Sequence, residues 1–216
     1  MNNDLTMEGA ISRCAERGLK INTVIDVGAS NGSWSRICMK YFPDAYYLLI
    51  EAQEPHLPGL IQFKTEFKNS DYVLAAAGNR IGEIYFDNSG LFGGLASETP
   101  FENNCIVVPV ITINNQIKER NLPPPYLIKL DTHGFEIPIL EGSSEYIKDT
   151  NLFIIETYNY SLTPKYYEIS KYMEEKGFQT IEIADILLRK KDNSFWQMDT
   201  FYIPSNSKEF SYKRYE

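Results

Sequence analysis

Between residues 21 and 203, short apolar runs alternate with stretches of helical spacing, and that alternation limits the possible folds more than any other feature. Residues 21–27, 46–51 (YYLLIE), 72–77, 126–130 and 152–156 (LFIIE) read as buried strands. Helical patterns cover 33–41, 58–67, 114–120, 135–148 and 163–176, after a first helix over 7–17 that stops at Gly18. Pro138 fits the helix over 135–148 only because it lies in the first turn. Strands that each return through a helix build a mostly parallel sheet covered on both faces, a three-layer α/β sandwich.

Elsewhere the rhythm changes. Residues 83–86 (EIYF) read as a short strand, and 105–111 (CIVVPVI) as an edge strand because Pro109 cannot donate to a ladder. The stretch 87–104 holds Gly90, Gly93 and Gly94 among polar residues and is expected to be a loop serving as a lid. Residues 180–188 and 195–203 are two extended runs without a helix between them, which predicts an antiparallel hairpin at the sheet's end. A length of 216 residues suits one domain, 1–216, with 1–20 as a helical extension.

Composition narrows the partners. Twenty-one Lys and Arg against 29 Asp and Glu leave a net charge of −8, which argues against nucleic acid. The only tight basic cluster, Arg189-Lys190-Lys191, reads as a solvated turn. Cys14, Cys38 and Cys105 are far apart and match no metal-ligand spacing, so a reduced, cytoplasmic setting is expected. The stretch MNNDLTMEGA has no basic start and apolar block, and no run of about 18 apolar residues occurs, so neither a signal peptide nor a membrane span is expected.

The chemistry concentrates in two stretches. In VIDVGASNGSWS, a strand runs into a turn with Gly28 and Gly32 and then into a helix, whose N-terminal N–H groups suit a ligand. Ser30 stands where a dinucleotide turn keeps its middle glycine, and Asp26 would repel a diphosphate. Asp26 instead suits a ligand with a cationic or hydrogen-donating end, such as the amino-acid part of S-adenosylmethionine. Glu51, 25 residues on at the end of YYLLIE, is expected to accept from ribose hydroxyls, with nearby Glu54 an alternative. The small residues Ala75, Ala76 and Ala77 offer a smooth floor for an adenine ring.

The second stretch, LIKLDTHGFEIPILEGS, puts Asp131, His133 and Glu136 around the end of a buried strand, where open α/β sheets bind ligands. Imidazole is the side chain best suited to take a proton near neutral pH.

Together these residues resemble the FkbM family of S-adenosylmethionine-dependent methyltransferases over about residues 24–203. The turn D-V-G-A-N-x-G of that family is matched by Asp26, Val27, Gly28, Ala29, Asn31 and Gly32, with Ser30 as a departure. Its block K-x-D-x-x-G-x-E-x-x-x-L-x-G is matched by Lys129, Asp131, Gly134, Glu136, Leu140 and Gly142. AAAGNRIGEIYF and QMDTFYIP also resemble family segments, whereas Ala52-Gln53 replaces a common Pro after Glu51 and His133 replaces a common Glu or Gln.

The resemblance implies a class I, Rossmann-like methyltransferase fold: a seven-stranded, mostly parallel sheet with an antiparallel last strand. It implies O-methylation of a sugar, glycan, glycolipid or secondary-metabolite hydroxyl. By the same token Asp26, Gly28, Ala29, Ser30, Gly32, Glu51, Ala76 and Ala77 would hold the donor. Asp131, His133 and Glu136 would border the acceptor, with either His133 or Asp131 as the base. Glu156 and Tyr158, at the end of the fifth strand, are assigned to the acceptor as well. Asp131, Glu136 and Glu156 form an alternative set for a divalent cation such as Mg²⁺, through hard oxygen ligands. The rival functions are an NAD-dependent oxidoreductase and a donor-binding module without catalysis.

Overall fold

A computed structural model describes residues 4–161, 163–212 and 214. In chain order its elements begin with helix α1 (Met7–Glu16), strand β1 (Thr23–Val27), α2 (Ser33–Cys38), β2 (Tyr46–Glu51), α3 (Leu57–Glu66) and β3 (Ser70–Leu74). Then come β4 (Ala76–Ala77), β5 (Gly82–Asp87), β6 (Leu95–Ser97), β7 (Cys105–Ile111), α4 (Ile113–Arg120) and β8 (Tyr126–Leu130). The chain ends through α5 (Glu136–Glu141), β9 (Thr150–Tyr158), α6 (Tyr166–Glu175), β10 (Phe178–Leu188) and β11 (Phe195–Pro204).

Seven strands form the main sheet in the order β10-β11-β9-β8-β1-β2-β3. Pairings β2–β3, β1–β2, β1–β8 and β8–β9 are parallel, whereas β11 runs antiparallel to both β9 and β10. The class I methyltransferase architecture is therefore present, including the antiparallel last strand. Side chains alternate across each strand, so the sheet splits its apolar residues between two cores. Val24, Tyr47, Leu49, Leu127, Leu152 and Phe201 face α1, α2 and α3. Ile25, Val27, Leu48, Ile128, Phe153 and Tyr202 face α4, α5 and α6.

Several elements depart from the sequence expectation. The third strand breaks at Ala75: β3 stays in the main sheet, and β4 turns away to start a second, four-stranded sheet ordered β4-β7-β5-β6. The segment 105–111 is a complete strand paired with β5 along its length, not merely an edge. Pro109 is accommodated because β4 pairs with β7 only at Val110 and Ile111. The stretch 87–104 contains β6, which folds back on β5. The helix expected over 135–148 ends at Glu141. Gly142 is pressed so close to Gly78 that a Cβ would lie 2.0 Å from its carbonyl oxygen, and Ser143 Oγ turns back to the Leu140 carbonyl.

Candidate active site

The carboxyl ends of β1, β2 and β8 meet at one edge of the main sheet. Gly28 and Ala29 donate backbone N–H bonds to Ile50 O, and Asp131 donates to Val27 O, which cinches the three strand ends together. Gly28, at φ +77°, sits so close to β8 that a Cβ would fall 2.0 Å from Asp131 O. Only glycine fits there. Ser30 takes a left-handed conformation (φ 51°), and this aims its N–H at Glu51 Oε2, 2.7 Å away. Gln53 N donates to the other Glu51 oxygen at 2.8 Å, so the carboxylate is held by two backbone donors and keeps lone pairs for further hydroxyls.

A cleft opens beside this turn, with about 730 Å³ between its walls, solvent at its mouth included. Gly28, Ser30, Glu51, Ala76, Ala77, Asp131 and His133 all line it. Its roof is the loop before β6: Gln53 Nε2 donates to Gly90 O and Leu91 O at 3.2 and 3.1 Å. His56 Nε2 lies 2.7 Å from Leu91 O, while its Nδ1 lies 3.2 Å from Ser30 Oγ. The carbonyl of Phe92 stands beside the His133 imidazole. Leu91, Phe92 and Phe86 make the roof apolar.

A layer of ionisable side chains runs from Asp131, on the cleft wall, into the buried interior behind it. Asp26, Lys129, Asp131, Glu156 and Asp199 occupy strand positions of one parity, so they share the face that α1, α2 and α3 cover. Lys129 Nζ is 2.8 Å from Asp131 Oδ2 and 3.9 Å from Asp26 Oδ1, and it lies 5.3 Å from the centroid of the Trp34 ring. Burial works to raise the Asp131 carboxyl, but Lys129 prevails and holds it at about 2. Burial raises Asp26 despite Lys129 and the 2.7 Å bond from Ser35 Oγ. Asp26 Oδ1 is buried without a hydrogen-bond partner.

Two residues beyond Asp131, His133 adopts φ 54°, a conformation uncommon for a non-glycine residue and one that turns its ring toward β9. Its Nδ1 lies 3.3 Å from Glu156 Oε2 and is hydrogen-bonded to Tyr158 OH, which donates to Glu156; Gln197 Nε2 donates to the other Glu156 oxygen. Burial opposes protonation of His133, yet the hydrogen bond to Glu156 and the charges of Glu156 and Asp131 raise it above the ordinary imidazole value. Burial raises Glu156, and it pushes Asp199, opposite Glu156 on β11, up to about 8.

Several assignments are displaced. Asp26, Ala29 and Gly32 lie behind the cleft wall, not on it. Glu136 is buried, and its carboxylate accepts from Gly134 N at 2.8 Å and Thr132 Oγ1 at 3.2 Å, so it staples its own turn. Among the described residues, the group with metal-ligand geometry is Asp131, His133 and Glu156, with His133 in the place that sequence gave to Glu136. Lys129, Asp199, Gln53 and His56 were missed as site residues. The lone Lys of LIKLD inside an apolar strand was the one available signal.

Comparison with known proteins agrees with this architecture. The family model described as methyltransferase FkbM domain matches residues 26–180. A search of curated proteins finds no match. Among solved structures, 1,6-didemethyltoxoflavin-N1-methyltransferase from Burkholderia thailandensis, bound to S-adenosylhomocysteine, is similar with a TM-score of 0.51 and 9% identity, over 94% of this chain and 80% of that one. A putative RNA methyltransferase from Pyrococcus horikoshii is similar with a TM-score of 0.50 and 12% identity, over 91% and 81%. An rRNA methylase from Streptococcus thermophilus is similar with a TM-score of 0.50 and 11% identity, over 94% and 98%. At such identities these likenesses speak for the fold, whereas the family model spans most of the chain, which belongs to the FkbM family of S-adenosylmethionine-dependent methyltransferases.

Proposed function

We propose that the chain transfers a methyl group to a hydroxyl oxygen of a sugar, glycan, glycolipid or secondary-metabolite acceptor, with His133 as the base. The observation that carries this reading is the relay Glu156–Tyr158–His133 at the acceptor end of a cleft whose other end suits a nucleoside. When bound, S-adenosylmethionine supplies an electrophilic methyl on a sulfonium that is neutralised on transfer. Glu51, with its spare lone pairs, is suited to ribose hydroxyls, and Ala76 and Ala77 to an adenine face. His133 takes the hydroxyl proton as the acceptor oxygen bonds to the methyl carbon, and Glu156 stabilises the imidazolium that results. Positioning supplies much of the remaining rate enhancement, because the displacement is in line. The loop at 87–104 acts as the lid: the Phe92 carbonyl must leave His133 before a hydroxyl can reach it.

Family membership disfavours the NAD-dependent oxidoreductase. A catalytic cation on Asp131, His133 and Glu156 is disfavoured because the Lys129 ammonium already neutralises Asp131 at 2.8 Å. One assay separates these readings. With a labelled donor, His133→Ala lowers turnover by about a hundredfold to ten-thousandfold and leaves S-adenosylhomocysteine affinity unchanged, and exhaustive chelation leaves the wild-type rate intact. Turnover unaffected by the substitution removes His133 from the mechanism. Activity lost on chelation and restored by Mg²⁺ reassigns the cluster to a metal, and a chain that binds donor yet methylates nothing is a binding module.

A further inference from the structure

We infer that the tip of the β10–β11 hairpin is a docking surface for an anionic lipid bilayer. Ile186, Leu187 and Leu188 are three consecutive large apolar residues, 44%, 50% and 49% exposed. Leu188 pairs across the hairpin with Phe195, whose ring meets Tyr166 at 5.6 Å, and Tyr166 in turn meets the exposed Tyr167. The apolar row runs straight into Arg189, Lys190 and Lys191 at the turn. Arg189 is spent on Asp192, with Nε 2.9 Å from its Oδ1, whereas Lys190 and Lys191 are exposed and make no ion pair among the described residues.

The combination matches a lipid interface in depth and charge. Aliphatic side chains reach the acyl boundary, aromatic rings sit at headgroup level, and lysines meet the phosphates. Charge bears on the orientation: a chain of net charge −8 is repelled as a whole by an anionic surface, whereas the Lys190-Lys191 tip is attracted to it. Strand addition by a second copy is opposed at this edge. The Asp185 N–H is already donated to Leu5 O, and register shifts between Ala184, Leu187 and Leu188 break the flat edge that pairing requires.

The surface leads to the acceptor end of the cleft. Trp196, next to Phe195, stacks on Tyr160 at 4.5 Å, Tyr160 meets Tyr158 edge-on at 5.3 Å, and Tyr158 is bonded to His133. A continuous path of ring contacts thus links the tip to His133, and an acceptor that is itself held in the bilayer, the glycolipid, is the one that docking favours. Only that last step rests on the proposed function; docking itself does not.

The test is flotation of the full chain with vesicles of phosphatidylcholine mixed with phosphatidylglycerol, against pure phosphatidylcholine, at low and high salt. The chain floats with the anionic vesicles at low salt. Lys190→Glu/Lys191→Glu and Leu187→Ser/Leu188→Ser each reduce the bound fraction about tenfold, and both variants bind S-adenosylhomocysteine as the wild type does. Three outcomes overturn the inference: a wild type that stays behind, variants that float equally well, or a wild-type dimer in light scattering that the leucine variant splits. Docking in a chain that methylates no glycolipid would contradict the acceptor step alone.

Discussion

The imidazole of His133 owes its character to two neighbouring carboxylates rather than to its own position in the chain. Glu156 and Asp131 raise it against the cost of burial. A base must be neutral to accept a proton, so kcat rises with pH through a midpoint above the ordinary imidazole value. Glu156→Gln removes the charge facing Nδ1 and lowers that midpoint; an unmoved pH profile would show that Glu156 does not act through His133. Asp199 gives a second, independent reading of the buried layer. Its carboxyl stays neutral up to about 8 in the folded chain, whereas in an unfolded chain it ionises near 4. Its contribution to stability is therefore complete below pH 4 and disappears as pH rises through 8. Asp199→Asn removes that dependence: thermal melts show the variant gaining on the wild type by several degrees from pH 5 to pH 9. Equal pH dependence in both would mean that Asp199 is ionised in the native state.

Individual residues differed in how far the sequence exposed them. Gly28 and Glu51 were legible because one strand, one turn and one strand end fix their relative positions. Lys129 was not, because its meaning depends on register: β8 lies beside β1 so that Lys129 pairs with Asp26, and no local pattern encodes that pairing. Asp199 was hidden in the same way, since only the antiparallel match with Glu156 places it in the charged layer. Glu136 shows the converse. A carboxylate two residues after Gly134 looked like chemistry, and its two hydrogen bonds make it a structural staple.

At the scale of elements, strand periodicity carried most of the main sheet, because buried strands and amphipathic helices announce themselves over short windows. The second sheet escaped for a physical reason. β4 is only two residues long and β6 three, too short for a period to register, and both depend on β5 and β7 for their pairing. That small sheet carries the roof of the cleft. The roof is tied by Gln53 and His56 through hydrogen bonds to backbone carbonyls. Each such bond contributes about 1 kcal/mol. Gln53→Ala therefore speeds dissociation of S-adenosylhomocysteine about fivefold in stopped-flow fluorescence, with His56→Ala acting in the same direction. Unchanged dissociation in both would mean that the roof does not close over the donor.

For the whole molecule, one cleft joins two kinds of lining: backbone and small residues at β1, β2 and β4, and the titratable side chains of Asp131 and His133 beyond β8. Solved structures of the same fold include one whose name gives N1 of a small molecule as the methylated atom and others named as an rRNA methylase and a putative RNA methyltransferase, so the fold leaves the accepting atom open. The most direct measurement is mass analysis of products after incubation with labelled S-adenosylmethionine and a panel of neutral glycans, glycolipids and RNA. The account predicts a methyl ether on a hydroxyl of a glycan or glycolipid, formed by the wild type and lost with His133→Ala. Label that appears on a nitrogen or carbon atom, or on RNA, would contradict it.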